Sequence, residues 1–301
     1  MKAEAILIAG ANGLIGTELC EMLGQRGHHV ARLVRRPDKS RFTTYLWDPD
    51  QDRIDPEAVE GKDTIINLAG ANIGARRWTK SFRKEILESR TRSAAVLRRA
   101  VEAAGGGPHT YISAAGTSIY GTDGGARAFT EEDPPGDDFL AGVCRQWEAA
   151  ADMFQPMGIR VVKLRTGPVL SADGGMLQRI ARPVRWGVGA PLGSGDQFVS
   201  WIHLHDICAI YALAVEDRSL SGPYNAVGPD PVTNRELTRA IARALGRPLI
   251  LPPVPGFALR LFLGEMASLA LEGAKVSPQR IMGTGFAFEF DSLSKAMDDI
   301  F

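Results

Sequence analysis

At 301 residues the chain is longer than one hydrophobic core usually supports, so one large domain with an addition, or two domains, is expected. Thirty-five basic residues balance thirty-five acidic ones, and this neutrality gives no support for a nucleic-acid partner or an anionic membrane surface. Hydrophobic residues make up 45% of the chain and charged residues 23%, as in an ordinary globular protein.

The cysteines are widely spaced and odd in number: Cys20, Cys144 and Cys208. They form no CxxC pair and no disulfide framework, so we expect buried thiols in a reducing compartment. Only a short apolar run precedes the first glycines, and no stretch approaches the roughly 20 apolar residues that cross a bilayer. These features predict a soluble cytoplasmic protein with no membrane partner.

Short β-type runs alternate with helical patterns through the first half of the chain. This alternation is typical of a parallel sheet with helices on both faces. We therefore predict an α/β fold with a doubly wound, Rossmann-type parallel sheet over residues 1–170. The predicted strands are residues 5–9, 29–35, 43–47, 64–68, 110–113 and 159–164, and the predicted helices are residues 14–26 and 81–104.

The second half of the chain is less regular and holds several glycine-rich turns. Helical patterns cover residues 233–245 and 257–271, with a proline-rich connector at residues 248–255 between them. We predict that residues 171–301 form a smaller α/β substrate-binding region, with some segments returning to the sheet. Since α/β folds bind ligands at the carboxyl ends of their strands, this region is expected to cover that edge.

Three glycines follow the first predicted strand and open the first predicted helix. Gly10 permits a tight turn, Gly13 lets the backbone approach a pyrophosphate, and Gly16 lets the helix pack close to the strand. The helix N-terminus then offers free N–H groups and a positive dipole end to phosphates. A dinucleotide site is predicted, with a merely structural glycine turn as the alternative. The residues predicted to contact the cofactor here are Gly10, Asn12, Gly13, Leu14, Ile15 and Gly16.

The end of the second predicted strand favours one type of dinucleotide. An NAD site usually has Asp or Glu there to bind the ribose hydroxyls, whereas this chain has Val34, Arg35 and Arg36. Guanidinium groups pair with a 2′-phosphate, which a carboxylate would repel. We therefore predict NADP(H), with NAD(H) as the weaker ligand. The alternative reading of the arginines is a solvated basic turn.

Motifs along essentially the whole chain add to the glycine loop. They are Asn67-Leu-Ala-Gly70, Arg77-Trp78, Ser89-Arg90, Ser113, Ile119-Tyr-Gly121, Thr130-Glu-Glu-Asp133, Trp147-Glu148, Leu192-Gly-Ser-Gly195, Ser200-Trp-Ile-His203, Asp206, Tyr224-Asn-Ala-Val227 and Gly264-Glu-Met266. Together they resemble the extended short-chain dehydrogenase/reductases, commonly called the NAD-dependent epimerase/dehydratase family. More narrowly, the chain is similar to the nucleoside-diphosphate-sugar epimerase-like branch of that family.

This resemblance implies roles for two further groups of residues. Leu68, Ala69 and Gly70 would close over the cofactor after the fourth main strand. Ser89 and Arg90, on the long helix, would face the ribose or the phosphates, and Ser113 would also lie at the cofactor. For Arg90 the alternative is an ordinary surface charge on a helix.

The resemblance breaks at the catalytic pair. Active members of the superfamily use Tyr-x-x-x-Lys on a helix, where the lysine lowers the tyrosine pKa for proton transfer. Alignment on Trp147 and Glu148 puts Leu140 at the tyrosine position and Cys144 at the lysine position, and no Tyr-x-x-x-Lys occurs elsewhere in the sequence. The candidate substitutes are Ser113 and Tyr120.

Other polar and aromatic residues are given structural roles. His203, His205 and Asp206 lack a convincing further ligand, so no metal is predicted, and Asp206 is expected near a helix N-cap. Lys163 lies in a predicted strand and is not expected to replace the missing lysine. Glu131 and Asp133 are expected in a solvated loop, with contact to a substrate as the alternative. Three tryptophans are predicted to line a pocket or, equally, to pack in the core: Trp78, Trp186 and Trp201.

Two functions follow. The first is an NADP(H)-dependent epimerase or oxidoreductase with an altered proton-transfer group and an unidentified small-molecule substrate, either a nucleotide-sugar or a carbonyl compound. The second is a non-catalytic NADP(H)-binding redox sensor or regulatory protein, favoured by the loss of the Tyr/Lys pair. Fold alone does not decide between them.

Overall fold

The structure is a computed structural model that describes residues 2–122 and 127–301. Its strands are β1 (Ala5–Ala9), β2 (His29–Val34), β3 (Thr43–Asp48), β4 (Arg53–Ile54), β5 (Thr64–Asn67), β6 (Thr110–Gly116), β7 (Arg160–Thr166), β8 (Val169–Leu170), β9 (Phe198–Val199), β10 (Ile202–His203), β11 (Gly222–Ala226) and β12 (Val232–Thr233). Its helices are α1 (Leu14–Gln25), α2 (Lys80–Ala103), α3 (Phe139–Asp152), α4 (Gly175–Arg185), α5 (Leu204–Glu216), α6 (Asn234–Ala244), α7 (Gly256–Leu263), α8 (Ser268–Leu271), α9 (Gln279–Met282) and α10 (Leu293–Ile300).

Eight strands form one sheet in the order β11-β7-β6-β5-β1-β2-β3-β4. All neighbours in it are parallel except β3 and β4, which form an antiparallel edge. The predicted α/β fold with a doubly wound parallel sheet is confirmed. The buried apolar runs of β1 and β5 explain the centre of this sheet, because a strand covered on both faces has no solvent side.

Helices cover both faces of the sheet with separate apolar cores. On one face, α1 and α5 bury a cluster that includes Leu19, Leu23 and Ile207. On the other face, α2 and α3 bury a cluster that includes Leu97 and Phe154. Helix α5 and strand β11 come from the second half of the chain, so this half contributes to both the sheet and its cover.

A third core lies in the C-terminal half. Trp201 is completely buried among residues from α4, α6 and α10, including Leu177, Leu237 and Leu293. Two small sheets, β10-β8 and β12-β9, join this region to the carboxyl edge of the large sheet. Within the described residues, none of the helices is both long and apolar enough to span a membrane.

Two predicted boundaries differ from the structure by more than two residues. Strand β6 continues three residues past Ser113, because its small residues pair in register with β7 as far as Gly116. The single helix predicted for residues 257–271 is instead divided, since Gly264 adopts a left-handed φ of 63° after α7 and a short 3-10 turn follows. The three cysteines are buried free thiols, as predicted.

Candidate functional site

The glycine loop connects β1 to α1 and leaves no room for side chains at two positions. A Cβ on Gly10, whose φ is +78°, would lie 2.8 Å from the carbonyl carbon of Leu68. A Cβ on Gly16 would lie 2.3 Å from the carbonyl oxygen of Gly10. Both glycines are therefore required by close backbone approaches. Gly10 approaches the segment after β5, and Gly16 of α1 approaches the glycine loop itself.

Helix α1 begins where the loop ends. The backbone N–H of Gly13 donates to the carbonyl of Gly10 at 3.0 Å, and Gly13 is the N-cap. The next amides, from Leu14, are in the first turn, where a helix provides no carbonyl partners. Leu14 and Ile15 are half-buried, and Leu14 packs near the start of α4 at Gly175. This arrangement can seat a diphosphate on backbone N–H groups at the positive end of the α1 dipole.

The segment after β5 is held by the buried side chain of Asn67. Its Oδ1 accepts from the backbone N–H of Ala69 at 3.0 Å, and its Nδ2 donates to Ser93 Oγ at 3.0 Å and Tyr111 OH at 2.9 Å. The backbone N–H of Leu68 donates to the carbonyl of Ala9. Leu68 and Ala69 are thus fixed beside the glycine loop, where the resemblance expects the cofactor.

Ser89 and Arg90 bind the backbone N–H and the backbone carbonyl of Ala71, in the segment after β5. Ser89 Oγ accepts from the N–H of Ala71 at 2.9 Å, and Arg90 Nη2 donates to the Ala71 carbonyl at 3.2 Å. The Arg90 guanidinium lies between the backbone of Gly70 and the Trp147 ring, whose centroid is 4.7 Å away.

Arg90 is only 9% exposed, so the alternative of a surface charge is wrong. Burial lowers the pKa of this guanidinium, with the nearby Cys144 acting in the opposite direction. The polar groups of Ser89 and Arg90 meet the Ala71 backbone, which makes both of them positioning residues for the loop. Direct contact of either residue with the cofactor stays a prediction.

The arginines in and after β2 have different surroundings. Val34 is buried and ends the strand, while the Arg35 side chain is 64% exposed and lies 3.5 Å from Asp50. Arg36 is exposed. The prediction from the sequence missed Arg32, whose guanidinium contacts the side chain of Asn12 in the glycine loop. The sequence does mark this residue, because Arg32 is the one ionised side chain inside an otherwise apolar run.

The helix that carries the catalytic pair in the family holds apolar groups here. Leu140 is half-buried, and Cys144, one turn later, is buried beside Gly116 at the end of β6. Burial raises the pKa of the Cys144 thiol to about 12, against the effect of Arg90. A thiol is never positively charged, and with this raised pKa Cys144 stays protonated near neutral pH. It therefore cannot supply the cation that lysine supplies in the family.

Ser113 and Tyr120 both lie in the interior. Ser113 is in the middle of β6, and its Oγ donates to the carbonyl of Ala114 at 2.9 Å. Tyr120 is 3% exposed; its OH donates to Asn225 Oδ1 at 2.6 Å and accepts from Arg165 Nη1 at 2.9 Å. Burial raises the pKa of Tyr120 to about 12, although Arg165 acts to lower it.

Arg165 belongs to a buried ionic network. It binds the two carboxylate oxygens of Glu148 at 2.7 and 3.1 Å, and Lys163 lies 2.9 Å from Asp152 and 3.6 Å from Glu148. Lys163 is in β7, as predicted, with its charge paired. Tyr120 therefore lies beside a cation, but one that Glu148 neutralises.

The expectation that Glu131 lies in a solvated loop is wrong. Its carboxylate accepts from the backbone N–H of Asn225 at 2.6 Å, and its carbonyl accepts from Arg165 at 3.2 Å. Asp133 instead accepts from the backbone N–H of Thr130 at 2.7 Å, which lowers the pKa of this carboxyl. Both acids order the chain before α3.

His203 and Asp206 have structural roles at the start of α5. His203 is the N-cap: its Nδ1 accepts from the N–H of His205 at 3.2 Å, and its Nε2 lies 3.2 Å from Asp299. Asp206, in the first turn, accepts from the backbone N–H groups of residues 289 and 290, at 2.9 and 3.1 Å. These contacts bind the C-terminal segment to α5. Among residues 2–122 and 127–301, no group of three or more His, Cys, Asp or Glu side chains is arranged to hold a metal ion.

The tryptophans divide between core and surface. Trp201 is in the core, and its Nε1 donates to the carbonyl of Asp230. Trp78 is half-buried beside Phe139 and donates to the carbonyl of Ile73. Trp186 is 79% exposed, so the prediction that it lines a pocket or the core is wrong.

Comparison with known proteins shows the family to which the chain belongs. The family model described as NAD dependent epimerase/dehydratase family matches residues 6–228, and one described as a domain of unknown function (DUF1731) matches residues 254–300. An epimerase family protein of Mycobacterium bovis, Mb2239, is 39% identical over 298 residues, which is 99% of this chain and 97% of that protein. The human epimerase family protein SDR39U1 is 35% identical over 98% of this chain and 99% of that protein.

Solved structures give the same result. Human SDR39U1 (isoform 2), whose crystal structure was determined with NADPH, superposes with a TM-score of 0.87 at 34% identity and covers 98% of each chain. The nucleoside-diphosphate sugar epimerase of Corynebacterium glutamicum superposes with a TM-score of 0.80 at 32% identity, over 98% of this chain and 57% of that one. By family match, identity and fold, the chain belongs to the NAD-dependent epimerase/dehydratase family.

Proposed function

We propose that the chain is an NADP(H)-dependent oxidoreductase or epimerase that uses a proton-transfer group other than Tyr-x-x-x-Lys. The cofactor is supported by the human relative solved with NADPH at 34% identity. It is supported also by the glycine loop, which ends at the N-terminus of α1, where Gly13 is exposed and the first-turn N–H groups have no carbonyl partner within the helix. When bound, NADPH would donate a hydride to the substrate and NADP⁺ would accept one from it.

The observation that carries the enzyme proposal is the chemistry at the end of β6. Thr117 and Ser118 follow Gly116 directly and are half-buried at the carboxyl edge of the sheet. A hydroxyl there can bind a substrate oxygen and hold its proton, as the family's catalytic hydroxyls do. Ser113 and Tyr120 fit this role less well, because both are buried and already engaged in hydrogen bonds.

The substrate class is a small carbonyl or alcohol compound. The name of the Corynebacterium relative, 32% identical, supports including nucleoside-diphosphate sugars. The test is incubation of the purified protein with NADPH or NADP⁺ and a panel of aldehydes, ketones and sugar nucleotides, followed by nicotinamide absorbance and by NMR of the sugars. We expect at least one substrate to be turned over.

Variants connect this activity to the edge of the sheet. Thr117→Val and Ser118→Ala are expected to lower kcat by roughly 10- to 1,000-fold in one or both cases, with little change in NADPH affinity. The matched control is Ser219→Ala, which removes an exposed hydroxyl far along the chain. A protein saturated with cofactor that converts no compound of the panel would contradict the enzyme proposal.

A specific observation favours the second candidate, a redox sensor. Leu140 and Cys144 occupy the tyrosine and lysine positions, and neither can exchange a proton with a bound substrate near neutral pH. A sensor must bind its partner, or a second copy of itself, with different affinity in the NADP⁺ and NADPH states. This candidate would be excluded if the mass of the protein in solution and its affinity for a partner were the same with NADP⁺, with NADPH and without cofactor.

A further inference from the structure

Arg32 is a charged residue in the interior of a strand. Since side chains alternate along β2, Val30, Arg32 and Val34 face α1, and Val30 packs in the core on that side. The Arg32 side chain is 12% exposed. Arginine is rarely so buried unless its charge is bound by a partner.

The guanidinium connects the glycine loop to the segment that follows β2. It contacts Asn12 Oδ1 in the loop, and its two terminal nitrogens lie 3.4 and 3.1 Å from the carboxylate of Asp38. The charge is thus held beside the backbone where the cofactor's adenosine ribose is expected to lie. Val34, two residues later at the end of β2, holds the position at which NAD-binding proteins carry an acid.

A cavity of about 300 Å³ opens at this point. Arg32, Asp38, Lys39 and Ser40 line it, together with Ala11 of the glycine loop. Its lining supplies the guanidinium groups of Arg32 and Arg41, the Lys39 ammonium and the Ser40 hydroxyl, which are groups that bind a phosphate. It also holds the carboxylates of Asp38 and Glu21, each of which is paired with one of these arginines.

Arg35, which the sequence favours for this task, is directed elsewhere. It faces Asp50 at 3.5 Å and lines a separate hollow with Trp47 and Asp48. Arg35 lies just after the last residue of β2, and its side chain is directed to Asp50 rather than to the cavity that Arg32 lines.

We propose that Arg32, supported by Lys39 and Ser40, binds the ribose 2′-phosphate and thereby sets the preference for NADP(H) over NAD(H). Asp38 orients the guanidinium and competes with the phosphate for it. This inference rests on the cofactor assigned under the proposed function, but its test measures binding and needs no turnover.

The test is calorimetric titration of NADPH and NADH into wild type, Arg32→Leu, Arg35→Leu and Arg53→Leu, where Arg53 is an exposed arginine used as the control. Arg32→Leu is expected to weaken NADPH binding by about tenfold or more, since a charge-assisted hydrogen bond is lost, and to change NADH affinity less than about twofold. Arg35→Leu is expected to weaken NADPH binding by less than about threefold.

Further arms keep the proposal testable if Arg32→Leu is poorly folded. Arg32→Lys keeps a cation and is expected to retain part of the NADPH preference, and Asp38→Asn removes the competing carboxylate and is expected to raise NADPH affinity without changing NADH affinity. Adenosine 2′,5′-bisphosphate, used as a probe, should follow NADPH in every variant, whereas 5′-AMP should follow NADH.

The outcomes separate two failures. If wild type binds neither dinucleotide, the cofactor assignment fails. If wild type prefers NADPH and a folded Arg32→Leu variant keeps that preference, or if Arg35→Leu abolishes it, the assignment to Arg32 is overturned.

Discussion

Arg90 donates a hydrogen bond to the carbonyl oxygen of Ala71 from a guanidinium that lies against the Trp147 ring. The bond connects α2 to the segment that carries Leu68, Ala69 and Gly70. A buried cation thus holds the backbone on one side of the dinucleotide site.

Arg90→Met tests this relationship. The apolar side chain fills similar space but leaves the Ala71 carbonyl without its donor, so we expect a loss of about 1–3 kcal/mol in unfolding free energy and weaker NADP(H) binding. Amide hydrogen exchange should become faster in residues 68–75. Arg92→Met, on the same helix with an exposed ion pair to Glu88, should cost less than about 1 kcal/mol. Unchanged exchange in residues 68–75 would show that Arg90 does not hold the loop.

Gly16→Ala tests the contact between α1 and the glycine loop. Its Cβ would lie 2.3 Å from the Gly10 carbonyl oxygen, so the backbone must move. We expect destabilisation of about 1–3 kcal/mol by overpacking and loss of detectable NADPH binding. Gly106→Ala, where a Cβ meets no atom within 4 Å, is the matched control and should stay within about 0.5 kcal/mol of wild type. Chemical denaturation measures the change in stability, and calorimetric titration measures NADPH binding. Wild-type NADPH affinity in Gly16→Ala would be inconsistent with the packing described.

Tyr120→Phe separates a catalytic from a structural tyrosine. Removal of the hydroxyl leaves Asn225 Oδ1 and an Arg165 N–H without their partner, so we expect about 1–3 kcal/mol of destabilisation. Once a substrate is known, kcat and its pH profile should change little in the folded variant. A large fall in kcat with normal stability would restore the catalytic role predicted from the sequence.

His203 is expected to make stability depend on pH. Burial lowers its pKa, while Asp299 and Asp206 act in the opposite direction and His205 in the same one. Because the unfolded chain binds this proton more readily, the stability that neutral His203 contributes is present above about pH 6.5 and is lost as the pH falls through the folded-state pKa.

His203→Asn keeps an acceptor at the N-cap and removes the titration. Its unfolding free energy, from denaturation at several pH values, should fall less than that of wild type between about pH 7.5 and pH 5. Equal slopes for wild type and His203→Asn would contradict the role of His203.

The sequence predicts the sheet well because its central strands are apolar on both faces. It predicts the glycine loop because close backbone approaches leave only glycine at Gly10 and Gly16. The last part of β6 is harder to predict: Ala114, Ala115 and Gly116 have weak strand preference and are held by pairing with β7, a neighbour that comes much later in the chain.

Long side chains account for the other errors. Ser89 and Arg90 are correctly placed near the cofactor loop, but whether a flexible guanidinium reaches a ligand, a carbonyl or water depends on neighbours such as Trp147. The sequence drew attention to Arg35 by its position after the strand end, whereas the contact of Arg32 with Asn12 comes from a side chain inside β2 that reaches the glycine loop. Glu131 pairs with the backbone of Asn225, 94 residues away, a contact that no local pattern reveals.

Calorimetric titration of the purified protein with NADPH, and in parallel with NADH, tests the central claim most directly. The account predicts saturable binding of NADPH, tighter than that of NADH, accompanied by an increase in Tm that grows with ligand concentration. An absence of heat and of thermal stabilisation at millimolar concentrations of both dinucleotides would contradict it.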